Sequence, residues 1–356
     1  MSNKEPWLAV NLSKIFPGLG QIYSEKRLKG YLIIFSNIAL YLIGLWLILS
    51  PGGNVVIGVG VLGMTLFLWF WNLFDAYRSA TRNNNEEFEA ERKQTKDPWL
   101  AMFLSQIFLG FGHFYIGKWY LALFFIVLLL IIAGSLSFIY PFVLALVAYL
   151  SYILAPVRRE RSSRRAIIIA LLIAISSLLP TVLALLLRTS VVEARWIPSG
   201  AMEPTLHGSP NQWEADKILV DKFSYRLLAP KRGDIVVFSP TQELQKEQYT
   251  DAFIKRVIGL PGEKVELRNG KVYINNQPLE EQYVSAQQRT AIDVCISGAQ
   301  PPFLSQPQTI PPDSYLVLGD NRNSSYDGRC WGVVPRNLII GKAYKRFFPL
   351  DRMGSL

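Results

Sequence analysis

Residues 166–187 read AIIIALLIAISSLLPTVLALLL, 22 positions without a charge, held between Arg165 and Arg188. As a helix the run is about 33 Å long, enough to cross the hydrocarbon core of a bilayer. Four more uncharged stretches lie upstream: Tyr31 to Ser50, Gly53 to Phe74, Trp119 to Tyr140 and Pro141 to Val157. The last two are continuous over 39 residues, too long for one span. They are divided at Tyr140-Pro141, because proline removes a backbone donor and disfavours helix in the residue before it. Five such runs, in a chain of 356 residues that is 50% apolar with a mean hydropathy of +0.21, predict about five transmembrane helices rather than buried helices of a soluble protein.

The net charge of +10 is uneven. Residues 1–165 hold 16 Lys and Arg against 9 Asp and Glu, and residues 188–356 hold 21 against 18. The excess therefore sits in the hydrophobic half, on the flanks of the spans: Lys26, Arg27 and Lys29; Arg78, Arg82, Arg92, Lys93 and Lys96; Arg158, Arg159, Arg161, Arg164 and Arg165. Short cytoplasmic loops retain Lys and Arg. All three clusters face the cytoplasm only if the N-terminus does, which places residues 188–356 on the trans side, periplasmic, extracellular or lumenal. The loop from Asp75 to Asp97 also holds six acids, so it argues less strongly than the Arg cluster. Met1 to Lys29 lacks the basic, apolar and small-residue order of a cleavable signal peptide. The chain thus reads as a multi-pass protein of the plasma membrane or an equivalent energy-transducing membrane.

An internal repeat organises this half. Over Pro6 to Lys26 against Pro98 to Lys118, 12 of 21 positions are identical, including Gly18/Gly110, Gly20/Gly112 and Tyr23/Tyr115. Each copy opens with an apolar, Gly-broken segment too short to span, read as interfacial or re-entrant, and continues into a transmembrane hairpin. His113 in this segment is read as a structural histidine. The domain scheme is a membrane region over 1–165 with repeats at 6–74 and 98–157, a final span over 166–187, and an exported domain over 188–356. Membrane lipids surround the repeats, and a structural or partner-docking role is expected of them.

After Arg188 the texture turns to short β-rich runs. VELRNGKVYIN over Val265 to Asn275 centres on Asn269-Gly270, a strong hairpin signal because both turn positions need positive φ. Asp234 to Phe238, Ser314 to Leu318 and Leu338 to Phe347 are further strand candidates, giving a mainly-β sandwich or barrel-like domain. Gln300 to Pro312, with five prolines, reads as a loop. Two cysteines and two histidines exclude a disulfide-dense scaffold, a zinc finger and an iron–sulfur protein. Cys295 and Cys330 are either a disulfide or two free thiols. The modest charge of the exported domain argues against nucleic-acid binding.

Four segments carry chemistry: IPSGAMEPTL from Ile197 to Leu206, GDIVVF from Gly233 to Phe238, FIKRVIGLPG from Phe253 to Gly262, and GDNRNSSYDGR from Gly319 to Arg329. In this order, behind a span, they resemble the type I signal peptidase family, membrane serine endopeptidases with a Ser/Lys dyad. The resemblance covers residues from about 166 to 347 and leaves out the repeats. It implies Lys255 as general base, a role that requires a neutral amine and hence apolar burial. It implies Ser325 as the group that orients that amine. Ser199 would serve as an oxyanion donor beside the backbone amide of residue 201. Asp327 with Arg329, and similarly Asp320 with Arg322, would be structural ion pairs near the site. Ile197, Met202, Leu206, Phe253 and Ile254 match the shallow apolar pockets for an Ala-x-Ala cleavage sequence; each also suits plain core packing. The family activity uses no metal or cofactor, and its partners are preproteins with signal peptides. His207 is read as a surface residue.

The sequence departs from this pattern at its centre. The family's nucleophilic serine precedes the methionine of the first segment, and here that residue is Ala201. Without a hydroxyl no acyl-enzyme forms there, so Ser/Lys catalysis is expected to be absent or very weak. An introduced substitution that traps substrate and a natural loss both fit the alanine; Gly328, where the family usually has serine, favours the natural loss. A substitute nucleophile at Ser199 would lie about 6–7 Å away along an extended strand, too far for attack. The expectation is a signal peptidase-like protein that binds the cleavage region of signal peptides. The alternative is an inactive pseudoprotease used for signal-peptide binding or assembly.

Overall fold

The computed structural model describes residues 3–133, 139–158, 164–295 and 301–356. The chain forms two compact units, Met1–Ala184 and Leu185–Leu356.

The first unit is helical. One repeat comprises α1 (Pro6–Ile15), α2 (Leu19–Tyr23), α3 (Arg27–Leu49) and α4 (Val55–Thr81). After α5 (Glu86–Gln94), the other comprises α6 (Pro98–Ile107), α7 (Phe111–Tyr115), α8 (Trp119–Ala133) and α9 (Tyr140–Ile153), followed by α10 (Arg164–Ser190). The residues shared by the copies have matching tasks. Proline opens α1 and α6, where its missing N–H is not needed. Gly18 and Gly110, at φ 98° and 91°, turn the chain into the second short helix. The Tyr23 hydroxyl accepts from the Glu5 amide at 3.2 Å, and the Tyr115 hydroxyl from the Asp97 amide at 2.9 Å. Each tyrosine thereby closes its two-helix element into a compact wedge. His113 is fully buried beside the Phe125 ring, at 4.9 Å between centroids.

Among the described residues three helices are long and apolar enough to cross a bilayer: α3 with 23 residues, and α4 and α10 with 27 each. Most of the surface of α3 and α4 is apolar and uncovered by protein. The expected third and fourth spans contain α8 and α9, described over 15 and 14 residues, α8 as far as the last described residue before position 134. Residues 134–138 of the third run, and Arg159 and Arg161 of the Arg cluster, lie outside the described residues. Asp75 at the start of the loop between repeats pairs with Lys29 of α3 at 2.6 Å, and within the loop buried Arg92 pairs with Glu89 at 2.6 Å and Asp97 at 3.5 Å.

The second unit is mainly β and antiparallel throughout. Its larger sheet runs β1 (Val192–Trp196), β2 (Lys217–Asp221), β11 (Ile339–Phe348), β3 (Ile235–Phe238), β4 (Phe253–Gly259), β9 (Ser314–Leu318) and β10 (Val334–Pro335), with β12 (Gly354–Ser355) on β11. A smaller sheet holds β7 (Gln277–Pro278), β6 (Lys271–Ile274), β5 (Lys264–Arg268) and β8 (Gln308–Thr309). The expected hairpin is β5–β6, with Asn269 and Gly270 at φ 50° and 73°. The proline-rich stretch contains β8 and a short turn over Phe303–Ser305; Gln300 lies outside the described residues. Strand β3 is buried on both faces, so its four residues alternate between two cores. Ile235 and Val237 join Ile197, Met202 and Leu206, whereas Val236 and Phe238 join Val257, Val317 and Trp331. Cys295 and Cys330 form a disulfide with Cα atoms 5.3 Å apart.

Candidate active site

Lys255 lies in the middle of β4, opposite Val236 of β3. Directly opposed residues of an antiparallel pair share a face, so its side chain turns toward the core of Val236, Phe238 and Trp331. Only 4% of it is exposed. Burial lowers the ammonium from 10.5 to about 8; Asp327 raises it, Arg329 lowers it and Asp320 raises it. The amine stands 5.7 Å from the Phe253 ring centroid. Near pH 8 a large fraction of this lysine is therefore neutral and able to accept a proton.

Ala201 occupies a 3-10 turn over Gly200–Met202, entered from extended Ser199 at φ −143° and ψ 155°. Two hydrogen bonds from the segment after β9 fix the turn: the Asn321 amide donates to the Ala201 carbonyl at 3.2 Å, and Asn321 Nδ2 to the Gly200 carbonyl at 3.1 Å. Gly319 is the hinge of the contact. A Cβ there would stand 2.1 Å from Ser325 Oγ and 2.5 Å from the Ala201 carbonyl oxygen, so Ala201 and Ser325 meet over its bare Cα. Ser325 is buried, and its hydroxyl has no hydrogen-bond partner among the described residues, Lys255 included. Ser199 is exposed, and its carbonyl packs where a Cβ on Gly208 would fall, 1.8 Å away.

The acidic and basic groups frame this shelf, with one change of partners. Asp327 and Arg329 are fully buried and paired at 2.8 Å. Asp327 also accepts from the Gly319 amide at 2.9 Å, and Arg329 donates to the Ser325 carbonyl at 3.1 Å. Asp320 and Arg322 do not pair with each other. Asp320 takes two bonds from Arg256, at 2.8 and 2.5 Å, and one from the Thr205 hydroxyl at 2.5 Å. Arg322 binds Glu281, the Thr290 hydroxyl at 2.6 Å and the Gly319 carbonyl at 2.9 Å. The cause is that each buried charge needs a partner that satisfies several of its sites, and those partners come from distant strands and loops. Arg256, Asn321, Gly319 and Gly208 thus hold the site although sequence reasoning gave them no part. The first three stood inside the quoted segments, and Gly208 sits two residues beyond the first.

A cleft of about 410 Å³ opens between the β1 end, Glu193 to Pro198, and the start of β4, Asp251 to Ile254. Ile197, Phe253 and Ile254 line it. Met202 and Leu206 do not: both are fully buried in the core beneath, with Ile218 and Val220. His207 is exposed and pairs with Glu203 at 2.9 Å. Among the described residues no group of His, Cys, Asp and Glu is placed to hold a metal ion.

Residues 164–348 match the family described as signal peptidase, peptidase S26. The chain belongs to this family. Signal peptidase relatives share the same half. The probable signal peptidase I-2 of Synechocystis sp. is 46% identical over 175 residues, covering 49% of this chain and 72% of that protein. Signal peptidase I of Leptolyngbya laminosa is 48% identical over 180 residues, covering 50% and 79%. The thylakoidal processing peptidase 1 of Arabidopsis thaliana is 31% identical over 177 residues, covering 48% of this chain and 46% of that protein. The signal peptidase match leaves residues 1–163, the whole of the repeat region, outside it.

Proposed function

We propose that this protein binds the cleavage region of signal peptides of exported preproteins and does not cleave them. The observation that carries the reading is a desolvated Lys255 and a buried Ser325 around a residue, Ala201, that has no hydroxyl. The reaction needs a nucleophile whose proton passes to the amine; alanine supplies neither. In this reading Lys255 is the retained base, Ser325 would orient it, and Ser199 would face the oxyanion. The cleft receives an extended peptide beside the edge of β1, where main-chain bonds give affinity and side-chain pockets give selectivity. Ile197, Phe253 and Ile254 favour small apolar residues such as those of an Ala-x-Ala sequence. Met202 and Leu206 shape that wall from behind, and the pairs of Asp320, Arg322, Asp327 and Arg329 keep the shelf rigid.

The membrane placement follows from parity. We infer an N-terminus on the cytoplasmic side, with α3, α4 and α10 as spans. If α8 and α9 enter the bilayer as a pair they add two crossings or none. Three or five crossings both put residues 188–356 on the trans side, next to signal peptides leaving the membrane. The binding claim is tested with a signal peptide carrying a photo-crosslinker at the residue before the cleavage site. The full-length protein in detergent is expected to give adducts at Trp196 to Pro198 and Asp251 to Ile254. Adducts spread evenly over the exported surface would sink it.

A further inference from the structure

Within the helical unit, α1, α4 and α6 enclose a pocket of about 750 Å³ that the peptide cleft does not explain. Each helix gives it one face at helical spacing: Trp7, Val10 and Lys14 from α1; Trp69, Phe70, Leu73, Phe74 and Tyr77 from α4; Phe103, Gln106 and Ile107 from α6. The walls are almost entirely apolar, and Phe70 and Phe74 remain exposed at 57% and 70%. One charge is built into them. The Lys14 amine donates to the Gln106 carbonyl at 3.3 Å and stands 5.7 Å from the Phe103 ring, with no carboxylate in ion-pair range among the described residues. The acids on the flanking segments are committed elsewhere: Asp75 to Lys29 and Gln21, and Asp97 to Arg92 and the amides that open α6.

We propose that this pocket binds an anionic phospholipid, with an acyl chain against the aromatic walls and the phosphate on Lys14. An ammonium with three donors and one long bond is under-satisfied in apolar surroundings, and an anion relieves it. Hydrocarbon walls ask for a chain, which a free phosphate lacks. A signal peptide offers an apolar segment too, but its charged end is basic and would meet Lys14 with the same sign. The volume falls in the range of ligand sites rather than of packing defects. The inference stands apart from the fate of the peptide cleft.

The test is native mass spectrometry of the delipidated full-length protein mixed with phosphatidylglycerol and phosphatidylcholine of identical chains. One well-placed cation is worth about 1 kcal/mol toward an anionic lipid, so the unaltered protein is expected to retain phosphatidylglycerol about fivefold over phosphatidylcholine. Lys14→Met should bring the ratio near one while lipid still binds, and Lys14→Arg should keep it. Lys26→Met, on an exposed basic flank, should leave it unchanged. Equal retention of the two lipids by the unaltered protein overturns the proposal without reference to any variant. So does a Lys26→Met loss as large as that of Lys14→Met, or displacement of phosphatidylglycerol by inorganic phosphate or a synthetic signal peptide.

Discussion

Strand β4 and the turn at 200–202 face each other across one site but differ in what their residues demand of the fold. β4 holds Lys255 with 4% exposure and, among the described residues, no counter-ion bonded to it, while Asp327 and Arg329 nearby are buried as a pair. The turn at 200–202 is positioned as carefully, by Asn321 and Gly319, yet its central side chain is a methyl group. A solvated lysine would suit a chain with no use for a neutral amine, since desolvating this one disfavours folding in full below about pH 8 and in part up to about pH 10.5. The difference teaches that the turn and the buried charges around it are positioned without any hydroxyl at residue 201. Positioning lives in the backbone and the buried charges.

Restoring the hydroxyl should break the contrast with the largest effect. Ala201→Ser is expected to raise preprotein cleavage by on the order of 10⁴-fold or more, the scale of nucleophile removal in serine proteases. In that background Lys255→Ala should lose about 10²–10⁴ of the rate. The rate of Ala201→Ser should climb with pH and level above about 8, as the Lys255 amine becomes neutral. A flat profile from pH 6 to 10 would remove Lys255 from the base role.

Stability separates the two regions next. Asp327→Ala leaves Arg329 buried without its partner and should cost about 3–5 kcal/mol by denaturant unfolding of the full chain. Lys255→Met should do the reverse. Between pH 8 and 10.5 the unfolded chain still holds the proton that the folded chain has released, so stability with Lys255 rises with pH across that window. At pH 7 the methionine variant should be more stable by roughly 3 kcal/mol, from 1.36 kcal/mol per pKa unit, and the gain should vanish near pH 10.5. The smallest effect belongs to the exposed pair beside the turn: His207→Ala should change stability by less than about 1 kcal/mol, because Glu203 and His207 are both solvated.

What the sequence made legible was local. Asn269-Gly270 announces β5–β6 through its own backbone requirement, and SYLVL over Ser314–Leu318 is a strand that is apolar on both faces. The four segments around Ala201, Lys255 and Ser325 converge because β4 pairs with both β3 and β9, and Asn321 after β9 holds the turn at 200–202. What was not legible depends on distant partners. Asp320 finds Arg256 across 64 positions and Arg322 finds Glu281 across 41. Met202 and Leu206 are as apolar as Ile254, and only the fold decides that they lie under the cleft wall.

The most direct test of the central claim is to incubate the unaltered full-length protein and its Ala201→Ser variant, in detergent near pH 9, with a preprotein carrying an Ala-x-Ala site, and to weigh the products. The account predicts intact preprotein with the unaltered chain and mature protein plus free signal peptide with Ala201→Ser. Mature protein released by the unaltered chain at the rate of the serine variant would contradict it.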